Sequence, residues 1–139
     1  MPYPAIRAAA HIAAIFAIYL SVVMLVPAAV DLYYGNDDWQ IFAFSAFFTG
    51  GLATAVVLAT QGTVPPITSR FGFFVVNLLW LMTTLIGAIP LLASSLEISV
   101  TDAIFEAAAG VTTTGSTVIV GLDTLPPGLL LWRSLLQWI

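Results

Sequence analysis

The chain has 139 residues, of which 60% are hydrophobic and only 7% are charged. Soluble domains carry about 25% charged residues, so this composition indicates an integral membrane protein. The formal net charge is −4, with three arginines and no lysine, which excludes the basic surface that nucleic-acid binding needs. There is no cysteine and a single histidine, His11, so disulfides and Cys/His-rich metal sites are excluded as well. We expect His11 to lie near a helix end, satisfied by backbone or water.

Three apolar runs are each long enough to cross a bilayer: residues 8–30, 41–60 and 71–93. A transmembrane helix needs about 20 apolar residues. The first run also resembles a signal peptide, because Pro27 and the alanines after it mimic a cleavage region. The apolar part of a signal peptide is only about 7–15 residues long, so we favour a retained transmembrane helix.

Two polar connections separate these runs. Residues 31–40 contain three acids, no base and an aromatic cluster, which predicts an exposed turn at the membrane interface. The alternative is that the acids attract cations to a pore mouth. Residues 61–70 form a break, because Pro65 and Pro66 cannot continue a helix, and Arg70 closes it.

Small and polar residues within the second and third runs predict helix packing. Gly50 and Gly51 each have a small residue four positions later, a spacing that lets two helices approach closely. Asn77 is costly in contact with lipid, so it should face protein and form an interhelical hydrogen bond.

A helix too short to cross the membrane is predicted at residues 101–110. Ser99 or Thr101 can cap it, and Asp102 lies in its first turn, as expected at a helix start. At 1.5 Å per residue it spans roughly 14 Å, less than half a bilayer. The helix is therefore re-entrant, or it lies at the interface.

A threonine-rich stretch, AAAGVTTTGST, covers residues 107–117 and leads out of the short helix. Its candidate ion-binding residues are Thr112, Thr113, Thr114 and Gly115. Threonine favours extended backbone, Gly115 can adopt φ values closed to other residues, and inward carbonyl oxygens can replace the water shell of a cation. The negative end of the helix dipole would point at the same place. The alternative is a plain loop in which Gly115 is only a turn residue.

Residues 105–138, FEAAAGVTTTGSTVIVGLDTLPPGLLLWRSLLQW, resemble the first pore loop of the Trk/Ktr/HKT potassium transporter superfamily, closest to the bacterial Trk-type membrane subunit. In that family the filter keeps only the first glycine of the potassium-channel signature, and Gly115 matches it. The resemblance implies an all-α transmembrane fold. Residues 1–70 would form an amino-terminal two-helix unit, and residues 71–139 an incomplete helix–pore loop–helix repeat.

The resemblance also implies a function: potassium uptake across the bacterial cytoplasmic membrane, with filter carbonyls coordinating the ion. It implies potassium as the only metal and the transported substrate, no cofactor, a cytoplasmic nucleotide-binding regulatory subunit, and a homodimer when full length. The alternatives are a sodium-coupled Ktr-type subunit, or a structural membrane module with no ion site. An enzyme is not expected, since there is no nucleophile–base pair and GVTTTGST lacks the lysine of a P-loop.

Two charges in apolar surroundings, Glu106 and Arg133, are a possible pair that braces the filter. The alternative is that Arg133 extends to the outer surface while Glu106 faces water. Pro126, Pro127 and Gly128 predict a turn, and a last helix is expected from residue 129. It has about eleven residues, too few to cross, so we expect a fragment of a longer protein. The positions of Arg7 and Arg70 predict a cytoplasmic amino terminus.

Overall fold

The computed structural model describes residues 3–62 and 68–139, and the regular secondary structure within them is all helical. Five α-helices are connected by turns, and a short 3-10 turn, Leu122–Thr124, precedes the last helix. The helices are α1 (Tyr3–Tyr34), α2 (Trp39–Ala59), α3 (Ser69–Ala93), α4 (Val100–Val111) and α5 (Pro127–Trp138). The predicted break at Pro65 and Pro66 lies outside the described residues.

Helices α1, α2 and α3 are each long and apolar enough to cross a membrane. They coincide with the three apolar runs, so the prediction of an all-α membrane chain is confirmed. Arg70, expected to end the preceding loop, lies instead in the first turn of α3. The side chain of Thr68 caps this turn by accepting a hydrogen bond from the Phe71 N–H. The division into residues 1–70 and 71–139 stays a prediction.

The expected exposed turn at residues 31–40 is wrong for two of its three acids. Helix α1 continues through Asp31 to Tyr34, and both Asp31 and Asp38 are buried. Each carboxylate accepts a hydrogen bond from a distant part of the chain, Asp31 from the Gly128 N–H and Asp38 from the Ser95 hydroxyl. These donors allow burial, because a hydrogen-bonded polar group loses much less on leaving water. Asp37 is exposed, as predicted.

Helix α5 lies in the main core, against residues from all four other helices. Its fully buried side chains are Leu129, Trp132 and Leu136. The Trp132 indole N–H donates to the carbonyl of Gly87 in α3 at 2.9 Å. Leu136 fits between two glycines: a Cβ on Gly87 would lie 2.8 Å from Leu136 Cδ2, and one on Gly110 would lie 3.0 Å from Leu136 Cβ. Glycine at both positions lets α3, α4 and α5 meet.

The packing predictions for the long helices are right in part. Gly50 faces Ser21 of α1 so closely that a Cβ would lie 2.9 Å from the serine Oγ. Gly51 has no atom near its Cβ position, so the close approach involves Gly50 alone. The interhelical hydrogen bond expected of Asn77 is wrong: its amide is exposed and donates to the Phe73 carbonyl of the same helix.

His11 has a side-chain partner rather than the backbone or water partner expected. Its Nδ1 lies 3.0 Å from the hydroxyl of Thr60, the residue that follows the last residue of α2. This contact ties α1 to the carboxyl end of α2.

Candidate functional site

The short helix α4 carries the candidate ion-binding loop at its carboxyl end. Ser99 caps its start, accepting from the Asp102 N–H at 3.1 Å and donating to the Asp102 carboxylate at 2.7 Å. The helix has 12 residues, so at 1.5 Å per residue it is about 18 Å long. It is slightly longer than predicted and still too short to cross a bilayer.

The backbone reverses where α4 ends. Thr112 keeps a nearly helical conformation, with φ −82° and ψ 2°, and Thr113 is left-handed, with φ +56°. The expectation of extended backbone at these two threonines is therefore wrong. The last carbonyls of a helix lack donors within it, and a left-handed residue just past the end brings N–H groups back to them. Gly115 is also left-handed, with φ +73°, as its freedom predicts.

The N–H groups of the loop point back to α4. Those of Thr114 and Gly115 donate to the Ala109 carbonyl at 3.0 and 3.3 Å, and that of Thr113 donates to the Gly110 carbonyl at 2.8 Å. Within residues 3–62 and 68–139, no hydrogen bond reaches the carbonyls of residues 112–115, and all four residues are exposed. Among the described residues, the N–H groups of this loop are hydrogen-bonded to α4, whereas the carbonyls of residues 112–115 accept no hydrogen bond.

Glu106 and Arg133, the two charges singled out in the sequence, form an ion pair. Arg133 Nε and Nη2 each lie 2.9 Å from Glu106 Oε2. Glu106 is 2% exposed, and the Arg133 side chain is 16% exposed. Two N–H groups on one carboxylate oxygen make a strong charge-assisted contact. The arrangement in which Arg133 extends away and Glu106 faces water is not observed.

The other oxygen of Glu106 binds the chain that follows the loop. Oε1 accepts from the Thr117 hydroxyl at 2.5 Å, from the Val118 N–H at 2.6 Å and from the Ile119 N–H at 3.3 Å. Sequence reasoning missed these partners, because two of the donors are main-chain groups, which no residue type marks. Glu106 thus connects α4, α5 and the segment after Gly115.

The return to α5 differs in one detail from the prediction. The helix begins at Pro127, so the expected turn does not extend over Pro127 and Gly128. Proline is favoured at the first helical position, because its φ is already helical and its missing N–H would have had no partner there. Across the parts of the chain that the structure describes, no three His, Cys, Asp or Glu side chains converge as a metal site would require.

Comparisons with known proteins agree on one family. The model of the family TrkH, described as cation transport protein, matches residues 39–139. The Trk system potassium uptake protein TrkH of Escherichia coli is 35% identical over 133 residues, 95% of this chain and 28% of that protein. The protein of the same name from Vibrio parahaemolyticus is 40% identical over 119 residues, 85% of this chain and 24% of that one.

A crystal structure has the same fold. The potassium transporter TrkH from Vibrio parahaemolyticus matches with a TM-score of 0.90 and 37% identity, over 96% of this chain and 29% of that one. The chain therefore spans 24% to 29% of the length of the relatives quoted.

Proposed function

Because the chain belongs to the TrkH family of cation transport proteins, we propose that it forms part of the pore of a Trk-type potassium uptake system. The pore would lie in the bacterial cytoplasmic membrane. In this proposal the backbone carbonyls of Thr112, Thr113, Thr114 and Gly115 coordinate potassium, and the rest of a longer protein supplies the other sides of the pore. A cytoplasmic nucleotide-binding regulatory subunit and a second copy of the full-length chain are the proposed partners.

The observation that carries this proposal is the separation of donors from acceptors in the loop. The N–H groups of Thr113, Thr114 and Gly115 are hydrogen-bonded to α4, and within residues 3–62 and 68–139 the carbonyls of residues 112–115 have no hydrogen-bond donor. A cation that loses its water shell needs oxygen dipoles in its place and is repelled by N–H groups. A loop that keeps its N–H groups on the protein side offers a cation only oxygen.

The ion pair gives this loop a fixed support. Glu106 accepts from the Val118 N–H through one oxygen and from Arg133 through the other. We propose that the pair holds the segment after Gly115 in position from the side away from the ion.

The proposed orientation places the loop on the external side. Arg7 and Arg70 favour a cytoplasmic amino terminus, so the α1–α2 and α3–α4 connections would lie outside. A hydrogen bond of 2.9 Å between Asp38 and Ser95 joins these two connections, which supports their placement at one end of the molecule. The loop would then enter the membrane from outside.

The experiment is Gly115→Ser in the full-length protein, with uptake of potassium and of sodium measured in cells. No atom lies near the Cβ that serine would add, but φ is +73° there, and a left-handed conformation costs a residue with a side chain about 1–2 kcal/mol. We expect the backbone to shift and the preference for potassium over sodium to fall. Thr113→Ser, which keeps the hydroxyl and adds no atom, is the control and should change little.

An unchanged preference in Gly115→Ser would show that this loop is not the filter. Uptake by the same cells also distinguishes a Trk-type system from a sodium-coupled Ktr-type system. A Trk-type system should take up potassium without added sodium, whereas a sodium-coupled Ktr-type system should require it.

A further inference from the structure

A buried carboxylate far from the loop, that of Asp31, meets the start of α5. Asp31 is 0% exposed, and its Oδ1 accepts from the Gly128 N–H at 2.7 Å. Gly128 lies in the first turn of α5, where N–H groups have no partner within the helix and the dipole favours a negative charge. Helix α5 has no side-chain cap of its own, so Asp31 caps it from another helix.

The contact between α1 and the start of α5 is tight. A Cβ on Gly128 would overlap the Asp31 carboxylate and would lie 2.7 Å from the carbonyl oxygen of Pro27. Asp31 Oδ2 is also buried, and it has no hydrogen-bond partner within residues 3–62 and 68–139. The carboxylate therefore holds α5 through one oxygen, at a place where the backbones of α1 and α5 are in close contact.

The same helix carries the arginine that supports the loop. Arg133 follows Gly128 by five residues, about 7.5 Å along the helix axis. It binds Glu106, and Glu106 binds the Val118 N–H after the loop. A shift of α5 at its first turn moves the Arg133 guanidinium by a similar amount, because a helix moves as a rigid element.

We propose that Asp31 is a positioning residue for ion selection, acting through α5, Arg133 and Glu106 on the segment that follows Gly115. This inference rests on the function proposed above. It assigns to the amino-terminal helix a role in the geometry of the loop, although α1 contributes no residue to it.

The test uses four variants of the full-length protein, in cells that take up potassium or sodium. Asp31→Ala removes the acceptor, and Gly128→Ala keeps the carboxylate but forces α5 away from it. Both should lower the potassium-to-sodium preference about two- to thirtyfold, the range for residues that couple through packed elements. Asp31→Asn keeps an acceptor oxygen and should recover most of the preference. Asp37→Ala, which removes an exposed acid from the connection after α1, should keep the wild-type ratio.

The amount of each variant in the membrane is measured in parallel, since a merely structural role would lower that amount and leave the ratio unchanged. A wild-type ratio in Asp31→Ala would overturn the proposal. If Asp31→Ala does not reach the membrane, the ratio is measured in Gly128→Ala, and a wild-type ratio in that variant would overturn the proposal. Gly115→Ser is measured alongside. If the potassium-to-sodium ratio changes in Gly115→Ser but not in Asp31→Ala, only the positioning role is rejected. If the ratio changes in neither variant, the proposed function is rejected.

Discussion

Removing either member of the Glu106–Arg133 pair should destabilise the protein, but by different amounts. Arg133→Ala takes both donors from Glu106 Oε2 and leaves the bonds to Oε1 in place. Glu106→Ala removes the partner of Arg133 and also the acceptor of the Val118 N–H. The Ile119 N–H keeps a second acceptor, the Thr117 hydroxyl at 3.0 Å, so only one main-chain donor is left without a partner.

The magnitudes follow from burial. Breaking a buried ion pair costs about 3–5 kcal/mol of the free energy of unfolding. The Arg133 side chain is 16% exposed, so water reaches the pair in part, and we place Arg133→Ala at the low end, about 3 kcal/mol. Val118 is 46% exposed, so water can partly replace the lost acceptor of its N–H, and Glu106→Ala should exceed Arg133→Ala by no more than about 1 kcal/mol, the low end for an unsatisfied donor. Glu106→Gln keeps an acceptor for Val118 and should resemble Arg133→Ala.

The assay is denaturant unfolding of the full-length protein in detergent, as a double-mutant cycle. The double alanine variant leaves no unpaired charge, so its loss should be smaller than the sum of the single losses by about 2 kcal/mol. If only the two charges mattered, exchanging Glu106 and Arg133 would restore the free energy of unfolding. The structure predicts that the exchange restores little of this free energy. An arginine at position 106 would face the Val118 N–H, and both groups are hydrogen-bond donors. Additive losses in the cycle, or full recovery on exchange, would refute this account.

Two further predictions concern packing and orientation. Gly87→Ala should destabilise the protein by about 1–3 kcal/mol through overpacking, because its Cβ would lie 2.8 Å from Leu136 Cδ2. Gly51→Ala has open space and should stay within about 0.5 kcal/mol, so equal effects in the same unfolding assay would contradict the packing described. A cysteine at exposed Asp37 should react with an impermeant thiol reagent added outside intact cells. Labelling only after the membrane is opened would reverse the proposed orientation.

The sequence predicts the helices well and their polar contacts poorly. The three long spans follow from hydropathy, because a bilayer demands a long apolar run and the chain has three. The burial of Asp31 could not be predicted, because its donor lies 97 residues later in the chain and nothing local distinguishes it from exposed Asp37. Acids close together in sequence indicate solvent only when no distant donor meets them.

The loop shows a second limit of local reasoning. Threonine favours extended backbone, yet Thr113 is left-handed, because α4 ends in carbonyls that need donors. The free energy gained by giving these carbonyls donors exceeds the difference in strand propensity between residues, which is at most about 1 kcal/mol. The proposed role of Gly115 comes from its match to a known pore loop, because spacing alone favours a plain loop.

The hydrogen bonds around the loop share one property that bears on its chemistry. Carbonyls of α4 hold the N–H groups of Thr113, Thr114 and Gly115, and the Glu106 carboxylate holds that of Val118. Each of these main-chain donors is bound on the protein side, so the backbone of the loop is held through its N–H groups. The hydroxyl of Thr112 is also turned back, to the Ala108 carbonyl at 2.7 Å. Changes that move the backbone should therefore alter ion preference more than changes that only alter a threonine side chain.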